Sequence, residues 1–152
     1  MTNGNSAPEP ALAAAPALQG GCLCGAVRYE IRAGALGAIV LCHCGQCRKA
    51  QGSAFAANAP VRAGDFRLLA GAEALRAYAS SPGKWRSFCG HCGSPIHSRR
   101  DSLSEWLRVR IGTLDGPIAA RPSAHIHAAS KAEWWDIGDA LPQHPGIEPG
   151  RR

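Results

Sequence analysis

This chain has no cysteine outside three short clusters, no apolar run long enough to span a bilayer, and no block of five or more basic residues. Each absence narrows the field. A membrane-spanning helix needs about 20 consecutive apolar residues, so no transmembrane segment or membrane partner is expected. Without a basic block or a helix-long cationic stripe, nucleic-acid binding is not indicated, although the formal net charge is +6. The N-terminal residues lack the basic n-region and apolar h-region of a secretory signal. The expected compartment is therefore the reducing cytoplasm, where thiols stay free or metal-bound. Aromatic residues are few at 6%, while glycine (18) and proline (11) are plentiful. At 152 residues and 45% hydrophobic content the chain is one globular domain with room for a real core.

The seven cysteines are too sparse for a disulfide-built miniprotein, and their odd number leaves one over in any pairing. Their arrangement is specific. Cys22 and Cys24 form a C-x-C, Cys42, Cys44 and Cys47 a C-x-C-x-x-C, and Cys89 and Cys92 a C-x-x-C. Closely spaced cysteines can aim their sulfurs at one point, as a soft divalent metal requires. The C-x-C reads as extended strand, in which residues two apart share a face. Together with the C-x-x-C, whose glycines let amides curl toward sulfur, it would make a tetrahedral four-sulfur site. Such a site is closed and structural, whereas three ligands leave a position open for water or substrate. Four plus three therefore points to a zinc enzyme. Seven thiolates and two zinc ions would lower the net charge by three, to +3, a mildly basic surface compatible with small anionic substrates. Disulfides, free thiols, a thioredoxin-like C-x-x-C and an iron centre in the four-sulfur site are the competing readings. The redox one lacks a βαβ context.

Between its ends the sequence runs mostly at period two. Val27, Tyr29 and Ile31 alternate with Arg28, Glu30 and Arg32, as a half-buried strand does. Further short strands are expected at Ala38–Leu41, Ser53–Ala59, Phe66–Leu69, Leu75–Ala79, Lys84–Phe88, Trp106–Ile111 and Ala124–Ala128. One helical turn is expected over Gln46–Gln51. The fold class is mainly β. Residues 1–19, rich in alanine and proline, are expected to form a disordered tail or a short helix through Ala11–Ala15. Residues 142–152, with Pro142, Pro145 and Pro149, are expected to form a flexible one, leaving a single domain over 20–141.

Five motifs in order carry a resemblance. They are G-G-C-L-C-G-A-V-R-Y at 20–29, C-H-C-G-Q-C-R-K-A-Q-G at 42–52, F-C-G-H-C-G-S-P-I at 88–96, R-I-G-T-L-D at 110–115 and H-I-H-A-A-S-K-A-E-W-W at 125–135. Together they resemble the glutathione-dependent formaldehyde-activating enzyme family, which includes the centromere protein V-like proteins. The resemblance covers about residues 20–141. It implies zinc-bound small β-sheets with short helical turns, in a fold like that of the mammalian suppressor of Sec-four. It implies a structural zinc on Cys22, Cys24, Cys89 and Cys92, and a second zinc, tied to activity and of uncertain occupancy, on Cys42, Cys44 and Cys47. The implied reaction is a carbon–sulfur lyase reaction, the addition of glutathione to formaldehyde to give S-(hydroxymethyl)glutathione.

Glutathione's thiol is mostly protonated at neutral pH, and zinc coordination would deprotonate it. Four thiolates make zinc a poor Lewis acid, which favours thiolate delivery over carbonyl polarisation. Arg48 and Lys49, just past the last thiolate, are the expected carboxylate holders. His43, His97 and His125 are further candidates for proton transfer or anion binding, and Asp115 is expected in a turn. Trp106, Trp134 and Trp135 read as packing residues. The alternative to an enzyme is a non-enzymatic zinc-stabilised interaction module. The three-cysteine cluster favours the enzyme, because a purely structural domain needs only the four-cysteine site.

Overall fold

The structure, a computed structural model, describes residues 16–150. The Ala11–Ala15 helix and most of the 1–19 tail lie outside these residues. Ten strands form two sheets. β1 (Leu18–Gly21), β2 (Arg28–Ile31) and β5 (Phe66–Ala70) make a three-stranded sheet in the order β1-β2-β5. The larger sheet takes β3 (Ile39–Cys42), β4 (Ala56–Arg62), β6 (Leu75–Ser81), β7 (Lys84–Cys89), β8 (Pro95–Arg100), β9 (Trp106–Arg110) and β10 (Pro122–Ile126), in the order β10-β3-β4-β9-β8-β7-β6. Its pairs are antiparallel except β10 with β3. One α-helix, α1 (Gly45–Gln51), follows β3, and the fold is mainly β as expected. No helix among the described residues is long and apolar enough to cross a membrane.

The period-two pattern places the core. Val27, Tyr29 and Ile31 are fully buried and pack with Val61, Ile96, Leu107 and Val109 of the larger sheet. Tyr29 stacks on Phe66 at 4.8 Å, and its hydroxyl meets Thr113 Oγ1 at 2.7 Å. That bond satisfies the one polar atom such a ring would otherwise bury. The opposite face of the large sheet carries a smaller cluster, Val40, Cys42, Ala56 and Ile126, against Cys47 of α1. Successive strand residues point to opposite faces, so the large sheet spends one face on the core and keeps the other for what lies around α1.

Two expectations are corrected. The Cys22–Cys24 segment is a turn, not an extended strand. Gly25 N–H donates to Cys22 O at 3.1 Å and Cys22 N–H to Val27 O at 3.0 Å, because the chain must reverse between β1 and β2 within six residues. The segment after Leu141 is bonded along β10. His125 N–H donates to Pro142 O (2.8 Å), His144 N–H to His125 O (2.9 Å) and His127 N–H to Gly146 O (2.7 Å). β10 is the edge of its sheet, and its open backbone groups need partners. Two strands beyond those expected, β1 and β8, complete the sheets, and β1 takes up Leu18 and Gln19 at the end of the expected tail.

The turn between β5 and β6 depends on a glycine. Gly71 has φ +84°, and a Cβ there would stand 2.2 Å from Ala26 O and 2.8 Å from Val27 Cα, beside the first cysteine turn. Gly34 has φ +73° with nothing within 4 Å of its added Cβ. Gly34→Ala meets only the left-handed backbone penalty of about 1–2 kcal/mol. Gly71→Ala also forces backbone apart and should cost at least about 2 kcal/mol more. Urea unfolding of the two variants at matched m-value measures the difference. Equal losses would show that the Ala26–Val27 turn yields freely.

Candidate metal centres and a basic cavity

The first cluster joins two turns far apart in sequence. Cys22 and Cys24 lie between β1 and β2, Cys89 ends β7, and Cys92 sits in the β7–β8 turn. Their four sulfurs lie within 4.8 Å of one another. Cys22 Sγ is 3.5 Å from Cys24 Sγ, and Cys24 Sγ is 3.8 Å from Cys89 Sγ across 65 residues. All seven cysteines are free thiols. A tetrahedral zinc site with bonds of about 2.3 Å has sulfurs about 3.8 Å apart, so this donor set fits such an ion. The surroundings point hydrogen at sulfur. Val27 N–H reaches Cys22 Sγ at 3.2 Å, and Leu23 N–H donates to Ser94 Oγ at 2.9 Å, pinning one turn to the other. Ser94 Oγ lies 3.2 Å from Cys92 Sγ and, with its own amide, holds that thiol down at about 5.

The second cluster is local. Cys42 ends β3, Cys44 caps α1, and Cys47 lies in its first turn. The cap is built by sulfur, with Cys47 N–H donating to Cys44 Sγ at 3.3 Å. These three sulfurs also lie within 4.8 Å of one another. Negative charge settles on Cys47. Hydrogen bonds from Cys42 and Cys44, then the charges of Arg110 and Arg86, hold its thiol far below the usual range, while sharing protons with Cys44 and Cys47 drives Cys42 far above it.

The cluster opens onto a cavity of about 530 Å³ whose wall is the free face of the large sheet. Lys84 and Arg86 of β7, Ser98 and Arg100 of β8, Arg108 and Arg110 of β9 and Asn58 of β4 line it. Arg86 Nη1 reaches Cys47 Sγ at 4.0 Å, and Nη2 donates to Gln46 Oε1 at 3.2 Å. Arg110 is only 4% exposed; its Nη2 donates to Ser98 Oγ at 3.3 Å, and burial lowers its pKa. No Asp or Glu lines this cavity among the described residues. His127, at φ 53°, also lines it, a left-handed conformation uncommon outside glycine.

The residues expected to hold a carboxylate are elsewhere. Arg48 Nε donates to His43 O (3.3 Å) and Nη2 to Ser130 O (3.3 Å), so Arg48 ties α1 to the loop after β10. Lys49 is exposed, and neither lines the cavity. His43 points away from the sulfurs that flank it. It is fully buried, with Nε2 2.8 Å from His125 Nδ1, and His125 Nε2 is 3.1 Å from both carboxylate oxygens of Asp139. This row supports the loop from behind. His97 packs edge-on to Phe66 at 5.3 Å, and burial, then Arg110 and Arg99, push its pKa down to about 4. Asp115 pairs with Arg28 on the small sheet. Arg62 lies over the Trp106 ring at 4.7 Å, Trp135 meets Phe55 edge-on at 5.9 Å, and Trp134 is exposed.

Sequence reasoning missed the basic wall. Its signal was there as Lys84-x-Arg86, Ser98-x-Arg100 and Arg108-x-Arg110, cationic or polar residues two apart that one strand must present on one face.

A family model described as glutathione-dependent formaldehyde-activating enzyme matches residues 17–130. A Halomonas elongata protein named after the same enzyme is 30% identical over 128 residues, covering 79% of this chain and 80% of that protein. A solved Rhodobacter sphaeroides structure is 33% identical with a TM-score of 0.55, covering 66% of this chain and 91% of that one. With the family match spanning both cysteine clusters and every strand, the chain belongs to the glutathione-dependent formaldehyde-activating enzyme family.

Proposed function

We propose that this protein is a zinc-dependent carbon–sulfur lyase that joins glutathione, or a related thiol, to formaldehyde or a similar small electrophile. Cys22, Cys24, Cys89 and Cys92 would hold a structural zinc, and Cys42, Cys44 and Cys47 the zinc of the reaction. The single observation that carries this reading is a three-sulfur cluster set at the wall of a basic cavity. A compartment that keeps seven thiols reduced, the cytoplasm, suits it, and the reading includes a fold of the mammalian suppressor of Sec-four type, as the family resemblance implies.

When bound, zinc supplies acidity, since a coordinating thiol is deprotonated outright. The chain's own residues do the rest. Arg86 and Arg110, the cations that lower Cys47, face the place where a substrate thiolate would add its charge. Lys84 and Arg100, farther along the wall, offer charge-assisted hydrogen bonds to carboxylates. In the forward direction the substrate thiol gives up its proton, its sulfur bonds to the carbonyl carbon as the C=O π bond opens, and the carbonyl oxygen takes up a proton. The reverse breaks that bond and returns thiol and aldehyde.

The two clusters should separate in metal and folding assays. Cys89→Ser removes a ligand from a site that ties two distant turns, and the variant should unfold or become insoluble, because structural zinc contributes directly to folding. Cys44→Ser should fold, hold one zinc fewer than the parent and lose glutathione-dependent turnover. Metal analysis with thermal melting decides; unchanged metal content in both variants would remove the zinc assignment.

Binding tests the thiol. Calorimetry on zinc-loaded protein should show glutathione binding, S-methylglutathione binding poorly, and Arg86→Ala weakening glutathione by about tenfold or more. If S-methylglutathione binds as tightly as glutathione, sulfur is not the anchor. If formaldehyde with glutathione gives no rate above the uncatalysed adduct, the lyase assignment falls and the zinc-stabilised interaction module takes its place.

A further inference from the structure

The charge of the cavity wall exceeds what glutathione needs. Lys84 lies directly opposite Arg100, and Arg86 opposite Ser98, in the antiparallel ladder. Like charges directly opposite one another destabilise a sheet, and nothing in the fold requires this pair. The acid nearest in sequence serves the other face. Asp101 accepts from Trp85 Nε1 at 3.1 Å and Arg99 Nη1 at 3.4 Å, residues of the opposite alternation. Arg108 also borders an outer cavity that Glu148 helps to line. Four cations remain: Lys84, Arg86, Arg100 and Arg110.

Arg110 is the strongest sign. A guanidinium 4% exposed is expected to have an anionic partner, yet its hydrogen bond goes to the neutral Ser98, its Nε has no hydrogen-bond partner among the described residues, and the cysteine cluster is the negative charge that answers it. Three thiolates around a divalent ion carry one net negative charge, which answers one guanidinium and leaves three cations. Glutathione held as a thiolate brings two carboxylates, that sulfur and an ammonium, a net charge of about −2 at pH 7, one short of the three remaining cations, and its ammonium would find no carboxylate on this wall.

We propose that the reactant held by this face is a polyanion, a small molecule with two or more carboxylate or phosphate groups and no ammonium. This rests on the reading of the three-sulfur cluster as a thiol site and narrows its substrate class. Lys84 fits the idea. Burial, then Arg100, Arg110 and Arg86, push its pKa down to about 8, with Cys47 of α1 acting in the opposite sense. An anion on the wall would offset the three arginines and raise this value, so binding just above about pH 8 takes up a proton.

The test is calorimetry on the zinc-loaded full chain with four probes: glutathione, glutathione with its amino group replaced by hydrogen, pyrophosphate and tricarballylate. The deaminated peptide should bind at least about tenfold more tightly than glutathione. The tighter of the two thiol-free probes tells phosphate from carboxylate. Arg100→Gln, at an exposed strand end, should weaken the better probe and flatten its salt dependence. At pH 8.5 that probe should bind with proton uptake in the parent and without it in Lys84→Met. If the thiol-free probes bind and neither peptide does, the thiol reading falls while the anion face stands. Where the peptides bind, a deaminated peptide no tighter than glutathione overturns the proposal, and so do thiol-free probes without measurable binding.

Discussion

The structure depends on four sulfurs brought together from two turns. Cys24 and Cys89 are separated by 65 residues, and closing a loop of that length costs about 4 kcal/mol of chain entropy in its length term alone. Apolar packing does little to hold the outer turn, because Leu23 is 89% exposed and Cys24 is exposed. Within it run Gly25 N–H to Cys22 O, Cys22 N–H to Val27 O and Val27 N–H to Cys22 Sγ, and across to the other turn Leu23 N–H to Ser94 Oγ. Structural zinc binds small folded motifs with about 10–16 kcal/mol, enough to offset the closure cost more than twice over. With these turns joined, β7 is fixed against the small sheet, and its alternation decides which residues face the core and which face the cavity.

That alternation is why one sheet serves two purposes. In β9, Leu107 and Val109 go to the core, and Arg108 and Arg110 to the cavity. β4 divides the same way, with Val61 inward and Asn58 lining the cavity. The three-sulfur loop is set against this wall by β3 and braced from behind. His43 N–H donates to Ile126 O at 2.9 Å, its ring meets His125, and the segment after Leu141 completes the edge of β10. From the front, Arg86 of the wall also holds the loop, through Gln46 Oε1 at 3.2 Å and Cys47 Sγ at 4.0 Å.

Legibility in the sequence followed the same division. Cysteine spacing announced both clusters, and Val27-x-Tyr29-x-Ile31 announced the core, because both signals are local. β8 was hidden because Pro95-Ile96-His97-Ser98-Arg99-Arg100 offers almost no apolar alternation; its wall side is Ser98 and Arg100. The basic wall was hidden because its members come from three strands and become neighbours only through register. Arg48 and Lys49 drew attention by proximity to Cys47 in sequence. But a residue one position on along a helix turns about 100° away, and Arg48 is held by His43 O and Ser130 O. The turn at Cys22–Cys24 was misread as strand because a C-x-C satisfies both geometries, and only the reversal into β2 decides.

The two clusters differ in surroundings more than in sulfur count. Four thiolates on a divalent ion carry two negative charges, and around the first cluster amide N–H groups and the Ser94 hydroxyl answer them, neutral donors that cannot follow a change in charge. The second cluster has Arg86 at 4.0 Å from Cys47 and Arg110 buried beside it. Fixed positive charge near sulfur favours a state with one more negative charge than three thiolates and an ion provide, which is the state reached when a fourth, incoming thiolate arrives. Burial lowers the pKa of Arg110, and the charge of Cys47 acts in the opposite sense. On the reading proposed above, the same fixed positive charge favours anions over neutral molecules of similar size.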